Sequence, residues 1–279
     1  MPNLLGLGSW PMRLRPLLAI FALVSAVLIV LPTSSATADQ KPPGRPYEIL
    51  QMNLCLSGAA GCFDDTEYPK VVDEAVATIR RAKPTSVVIN EACSGDAAAI
   101  AKRTGMRISF ANVIYGGAEL PCRDPGGRGF FGNAVLTRSA PVQVESQAFE
   151  SQLGQEERRW ICVTTRDRVT VCGTHLAVGG AVGTPNQVNQ DAQCVEFGQV
   201  LQARATGKKV IAAGDMNRQT SCASASFWTL RDEDATQARG IQHVYGEADT
   251  FASQSKRIIP ATYTDHDFLA VKATLRPGR

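Results

Sequence analysis

Val210-Ile211-Ala212-Ala213-Gly214-Asp215-Met216-Asn217 decides how the rest of the chain is read. Four consecutive apolar residues without polar alternation make a short strand buried on both faces, the pattern of an interior strand in an α/β protein. The run breaks directly into polar residues, and in α/β architectures ligands gather beyond the carboxyl ends of such strands. Val87-Val88-Ile89 repeats the arrangement and runs into Asn90-Glu91. Val169–Gly173 ends in Thr174-His175-Leu176, and the first strand carries Gln51-Met52-Asn53-Leu54. Thr264-Asp265-His266-Asp267 immediately precedes the last strand, Phe268–Leu275. Singly, each has an ordinary structural reading: Asp215 as a turn cap, Asn53 bonded to a loop, Glu91 as a solvated strand end. The sequence holds only three histidines, His175, His243 and His266, and two of them stand beside these carboxylates.

Working outward, Tyr47–Leu56 reads as a strand, and Val72, Ala75, Val76 and Ile79 recur at helical spacing until Pro84 ends the helix. Asp96–Thr104 is an Ala-rich helix closed by Gly105, and Arg107–Ile114 is a strand leading into the Gly/Pro-rich loop Gly116–Gly129. Strands then follow one another: Phe130–Thr137, Val142–Phe149, and the hairpin Trp160–Thr165/Val169–Thr174. Thr184, Pro185 and Gln187 form a capping-box start to a helix that runs to about Ala205, stopped by Gly207. This order predicts a mixed-sheet α/β sandwich and excludes a barrel or a purely parallel sheet.

With 44% hydrophobic and 20% charged residues among 279, the chain is neither disordered nor fibrous. Leu17–Leu31 is apolar apart from Ser25, follows Arg13 and Arg15, and leads to Ala36-Thr37-Ala38. A basic start, a short apolar core and an A-x-A site predict a signal peptide over residues 1–38, cleaved after Ala38, and hence a secreted protein. The apolar run is shorter than the ~20 residues of a spanning helix, and no other stretch is long enough, so the mature chain is expected to have no transmembrane domain. Residues 39–46 form a flexible Pro-rich lead-in, and residues 47–279 form one domain. The net charge of +3 falls to +1 when Arg13 and Arg15 leave, so charge neither favours nor excludes nucleic acid. All eight cysteines lie beyond Ala38, which fits disulfides in an oxidising compartment, and none has zinc-knuckle spacing. Pairing Thr165 with Val169 across the hairpin turn sets Cys162 opposite Cys172. Cys55 with Cys62 closes a small loop, and Cys93–Cys122 and Cys194–Cys222 complete the set.

Six blocks in order carry a resemblance: Met52-Asn53, Asn90-Glu91, Gly132-Asn133-Ala134-Val135-Leu136-Thr137-Arg138, Gly173-Thr174-His175-Leu176, Gly214-Asp215-Met216-Asn217 and Thr264-Asp265-His266-Asp267. From Tyr47 to Leu275 the chain resembles the endonuclease/exonuclease/phosphatase superfamily, of deoxyribonuclease I-like fold, in the form of a secreted bacterial-type member. The resemblance implies a four-layer α/β sandwich with two packed mixed β-sheets, and a phosphoesterase that uses Mg2+ (or Mn2+/Ca2+). It implies Glu91 as the main metal ligand, helped by Asn53 and Asp265. Asp215 would orient or deprotonate the attacking water, and Asn217 would donate to the phosphate. His175 and His266 would flank the phosphorus as acid, base or phosphate donors, the sequence leaving open which does which. Asn133 and Arg128 are further candidates for binding the phosphate.

One position departs from the pattern. Where the superfamily carries an acid that holds the late histidine, Gly240-Ile241-Gln242-His243-Val244-Tyr245 offers Gln242. Glu247, Asp249 or Asp267 would have to replace that acid, or His266 works differently, or the protein is slow or inactive. A nucleic acid is the expected substrate, ahead of a lipid. Candidate contacts are Arg128, Arg158, Arg159, Arg166, Arg168, Arg218, Lys256 and Arg257, whereas Phe251–Pro260 offers a lipid surface only Phe251, Ile258 and Ile259. A sphingomyelinase-like phosphodiesterase and a non-catalytic binding protein on the same fold are the alternatives. Glu91, His175, Asp215, Asn217, Asp265 and His266 together argue against the binding protein. A monomer is expected.

Overall fold

The computed structural model describes residues 44–277 other than residue 208. The signal-peptide expectation and residues 39–43 of the lead-in lie outside the described residues. The first half of the chain gives β1 (Arg45–Asn53), α1 (Lys70–Ala82), β2 (Ser86–Cys93), α2 (Ser94–Thr104), β3 (Arg107–Asn112), β4 (Ile114–Tyr115), β5 (Ala118–Glu119) and β6 (Phe131–Thr137). It continues with β7 (Pro141–Ala148), β8 (Glu156–Glu157), β9 (Arg159–Thr165), β10 (Val169–His175) and α3 (Pro185–Ala205). The last part is all strand: β11 (Lys209–Asp215), β12 (Phe227–Arg231), β13 (Gln242–Glu247), β14 (Phe251–Ile259) and β15 (Phe268–Leu275).

Two six-stranded sheets form, in the orders β14-β15-β1-β2-β6-β3 and β12-β13-β11-β10-β9-β7. Each is antiparallel except for one central parallel pair, β1 with β2 and β10 with β11. The uninterrupted apolar runs are explained by what covers them. Val87 and Ile89 pack under α1 and α2 with Val72, Ala75, Val76 and Ile79. Val88, pointing the other way, packs between the sheets with Ile49, Val171, Ile211 and Val244. Val210 and Ala212 lie under α3 with Phe197 and Leu201. The layers therefore run helix, sheet, sheet, helix, as the resemblance implied. At Gly173 the sheets come so close that a Cβ would lie 2.8 Å from Val88 Cγ1, which only glycine avoids.

β1 begins two residues earlier than Tyr47, because Arg45 and Pro46 already pair with Leu275 and Thr274. The lead-in expected over 39–46 is thus strand at its end. The loop expected over Gly116–Gly129 contains β5, part of a small ribbon ordered β5-β4-β8. α3 starts as read: Thr184 Oγ1 accepts from the Gln187 backbone N–H at 3.4 Å. The Gln187 side chain accepts from Gly183 N at 2.9 Å, one residue earlier than a capping box requires. All four disulfides form as paired above: Cys55–Cys62, Cys93–Cys122, Cys162–Cys172 and Cys194–Cys222. Among the described residues no helix is long and apolar enough to cross a membrane.

Candidate active site

The two parallel pairs set their carboxyl ends side by side, with Asn53 beside Asn90 in one sheet and His175 beside Asp215 in the other. Asn90 ties the sheets together. Its Oδ1 accepts from Gln51 Nε2 at 2.7 Å and from the Asp215 backbone N–H at 2.8 Å. Its Nδ2 donates to Asn133 Oδ1 at 2.8 Å and to the Thr174 carbonyl at 3.0 Å. Asn133, expected at the phosphate, is buried in this network beneath the site and is not among the residues that line the pocket.

Three carboxylates meet above it. Glu91 lies in left-handed backbone (φ 52°), where the β2–β6 register shifts between Ile89 and Ala92. Such a bulge re-aims a side chain at modest strain. Asn53 Nδ2 donates to Glu91 Oε1 at 3.0 Å and to Asp215 Oδ2 at 3.1 Å, while its Oδ1 accepts from Cys55 N at 3.2 Å. Asn53 therefore clamps the two acids through its NH2 in this arrangement, rather than presenting an oxygen as the expected ligand role requires. Burial raises the Glu91 carboxyl above its usual range, and the charges of Asp215 and Asp265 add to this against Asn53 and Arg158. Burial also raises Asp265, with Asp215 adding and His266 opposing. Oxygen donors crowded together with their charges disfavoured suit a hard divalent cation. Cys62 Sγ, 3.6 Å from Glu91 Oε2, is locked in a disulfide and offers no thiolate.

The histidines flank these acids. His175 Nε2 stands 3.9 Å from Glu91 Oε1 and 3.0 Å from Asn217 Nδ2, which also donates to the Leu176 carbonyl at 2.9 Å. Burial, helped by the charges of Arg158 and His266, holds the His175 pKa well below 6.5, so the ring is neutral and its Nε2 accepts from Asn217. Asn217 is itself left-handed (φ 50°), with its N–H on Asp215 Oδ1 at 2.9 Å and its carbonyl on Gln190 Nε2 of α3 at 2.8 Å. His266 Nε2 lies 3.7 Å from Asp215 Oδ2 and 3.5 Å from Asp265 Oδ2. His243 takes no part: its ring bonds Tyr245 Oη and the Arg218 carbonyl in the interior, and burial pulls it down to about 4.

Gln242 stands opposite Asp215 in the β11–β13 register. None of the proposed substitutes is seen to hold His266. Glu247 accepts from Asp249 N and Thr250 N. Asp267 accepts from Thr236 and from Ala261 N. Asp249 is engaged in that same turn, with its carbonyl accepting from Arg276. The carboxylate behind Gln242 is instead Asp232, which nothing in the sequence singles out; its Oδ1 accepts from Gln242 N at 3.0 Å.

Glu91, His175, Asp215, Asn217 and His266 line one cavity of about 460 Å3. Arg123 and Arg158 enter its wall, and Tyr115, Leu120 and Phe131 supply an apolar side. Residues 60–267 match the family described as Endonuclease/Exonuclease/phosphatase family. The chain belongs to this family. No curated protein sequence matches it. Among solved structures, it is similar to an endonuclease/exonuclease/phosphatase from Beutenbergia cavernae DSM 12333, at 18% identity and TM-score 0.60, over 83% of this chain and 72% of that one. The human nocturnin catalytic domain with bound sulfate anion superposes with TM-score 0.64 at 14% identity, over 82% and 94%. D. rerio TDP2 complexed with single-strand DNA product gives 0.58 at 12%, over 82% and 99%.

This family member distributes its cations differently from the expectation. Arg128 is buried, with Nη1 2.8 Å from Asp96 Oδ2, Nε donating to the Pro125 carbonyl at 2.9 Å, and its guanidinium 4.6 Å from the Tyr68 ring centre. It is not among the pocket-lining residues, so it braces a loop instead of reaching substrate. Arg159, Arg218 and Lys256 pair with Glu157, Asp191 and Asp234. Arg166 and Arg168 flank the turn of the hairpin whose other end carries His175. Arg158, 2.8 Å from Glu156, remains at the site. Arg123 and Tyr115 were not singled out. The Cys93–Cys122 disulfide carried the signal for Arg123, since it ties the residue before Arg123 to a position two beyond Glu91.

Proposed function

We propose that the chain is a divalent-metal-dependent phosphodiesterase acting on nucleic acid, with Mg2+ as first choice and Mn2+ or Ca2+ as alternatives. The observation that carries this reading is the pair of histidines, His175 and His266, placed across Glu91 and Asp215 in one pocket, with Asp265 Oδ2 3.5 Å from His266 Nε2. Glu91 and Asp265 would hold the cation, with Asn53 fixing Glu91. When bound, such a cation offsets charge developing on phosphoryl oxygens. Asp215, held by Asn53 and by the Asn217 N–H, accepts the proton of the attacking water. As the water oxygen bonds to phosphorus, the bond to the leaving oxygen breaks and that oxygen takes a proton from solvent, leaving one phosphate monoester and one hydroxyl. His266 Nε2 faces the reacting phosphate as a donor. Neutral His175 holds the Asn217 amide, which turns an N–H toward a phosphoryl oxygen when substrate enters. Arg158 and Arg123 supply the positive wall. Residues 1–38 act as an export signal cleaved after Ala38, and the four disulfides support an oxidising destination.

The test is hydrolysis of bis(p-nitrophenyl) phosphate and nicking of plasmid DNA by the oxidised protein, with Mg2+, with EDTA, and with Asp215→Asn. Metal-dependent turnover of both, lost in the variant, supports the reading. Turnover of the small diester and of choline-phosphate lipid without nicking moves the assignment to a lipid phosphodiesterase. Failure on all three substrates makes the non-catalytic binding protein the better account. Sequencing the N-terminus of the exported protein checks the cleavage site.

A further inference from the structure

His266 has the carboxylates of Asp215 and Asp265 near Nε2, but none holds its Nδ1. His266 Nδ1 and Gln242 Oε1 are both buried without a hydrogen bond. Leaving such groups unpaired opposes folding. They are near one another by three constraints. Gln242 faces Asp215 in the β11–β13 register, and His266 Nε2 is 3.7 Å from Asp215. Gln242 Nε2 also donates at 2.6 Å to the carbonyl of Asp267, the residue that follows His266.

The amide has only one sensible orientation. Its NH2 faces the Asp267 carbonyl and, at 3.5 Å, Asp232 Oδ2. Reversing it would set Oε1 against a carbonyl and a carboxylate. Asp232 is completely buried, and among the described residues no ion pair reaches it. Its carboxylate instead accepts from the backbone N–H of Gln242 at 3.0 Å. A buried, unpaired carboxylate is costly to the fold. Here it fixes and polarises the amide, which makes Oε1 a stronger acceptor.

We propose that Asp232 and Gln242 are positioning residues that together replace the single carboxylate: Asp232 orients the Gln242 amide, and Gln242 Oε1 accepts from His266 Nδ1–H, leaving Nε2 directed at the phosphate. The proposal deepens the phosphodiesterase reading and rests on it for its kinetic consequence only.

Three histidines make the test direct. Nitrogen-15 histidine spectra of the oxidised protein should show a proton on Nδ1 of His266. Gln242→Met, which keeps the volume and removes the acceptor, should move that resonance and leave His175 and His243 in place. On bis(p-nitrophenyl) phosphate, Asp232→Asn and Gln242→Met should each lower kcat by about 10- to 100-fold with KM changed less than about twofold, well short of the ~10⁴ lost when a triad carboxylate becomes an amide. Asp232→Asn combined with Gln242→Glu, which supplies the carboxylate directly, should recover kcat to within about threefold of wild type. An unmoved His266 resonance in both single variants, or a double variant no faster than Asp232→Asn, overturns the proposal. If wild type hydrolyses no diester, the functional reading fails, while the His266 resonance still decides the positioning.

Discussion

Arg128 and Arg158 look equivalent in sequence and do different work. Arg128 is buried against Asp96, whereas Arg158 faces the cavity that holds Glu91 and His175. Arg128→Ala leaves the buried Asp96 carboxylate without its cation, with only the Tyr68 hydroxyl on it among the described residues, and should lower unfolding stability in urea by about 3–5 kcal/mol. Arg158→Ala should change stability by less than about 1 kcal/mol and raise KM for a diester about tenfold, measured by steady-state kinetics. Asp232 allows a pH test. Burial, with the charge of Asp215 adding, raises its carboxyl from 3.8 to about 6, against the Gln242 N–H and His266. A raised carboxyl favours the fold when protonated, so its contribution is complete below about pH 3.8 and is lost as pH climbs through about 6. The Tm of Asp232→Asn should therefore rise relative to wild type between pH 4 and pH 8 in thermal unfolding; a constant difference would refute this. Asp215 and His175 could be read from sequence because they end apolar strands. Asp232 could not, since nothing in Arg231-Asp232-Glu233-Asp234 marks which acid turns inward.

At the scale of elements, legibility followed burial on both faces. Val87-Val88-Ile89 was plain because α1 and α2 cover one face and the second sheet the other. The sequence assigns Phe251–Pro260 no secondary structure and offers a lipid surface only Phe251, Ile258 and Ile259 there, yet Phe251–Ile259 is β14, at the edge of its sheet. An edge strand keeps polar residues such as Ser255 and Arg257 exposed, and so loses the apolar signature. β5, a two-residue edge strand of its ribbon inside the Gly/Pro-rich stretch, was hidden for the same reason. The disulfides separate stability from function in these elements. Cys162–Cys172 joins directly opposed residues of β9 and β10 beneath α3. Cys93–Cys122 instead anchors the loop that brings Arg123 to the cavity. Replacing either pair by alanine should cost about 2–4 kcal/mol in urea unfolding. Only loss of Cys93–Cys122 should also raise KM, by about fivefold or more, since the Arg123 loop is then free to move away. Equal KM values for the two variants would show that the loop does not bind substrate.

For the whole molecule, the order of six motifs revealed the architecture before any helix boundary was secure, because that order fixes which strands are central and which ends meet. The two sheets converge on Glu91, Asp215 and Asp265, and Asn90 holds them there. Holding these acids close opposes folding, since burial and mutual repulsion push Glu91 and Asp265 upward. A divalent cation bound by the folded chain and not by the unfolded one reverses that opposition. At 100 times its dissociation constant it adds about 2.7 kcal/mol, which for a domain of this size lifts Tm by about 5–10 °C. Thermal unfolding in saturating Mg2+ against EDTA should show that rise in wild type. Glu91→Gln, which removes a ligand charge and relieves the repulsion, should raise the Tm of the metal-free protein while abolishing the response to Mg2+. The response should also shrink between pH 8 and pH 5 in wild type, because protons compete for a Glu91 carboxyl that burial has already raised. A surface cation effect would persist in Glu91→Gln and fade with added NaCl. A site cation fails on the first count and tolerates the second, so one set of melting curves separates a metal held by these acids from magnesium acting as a salt.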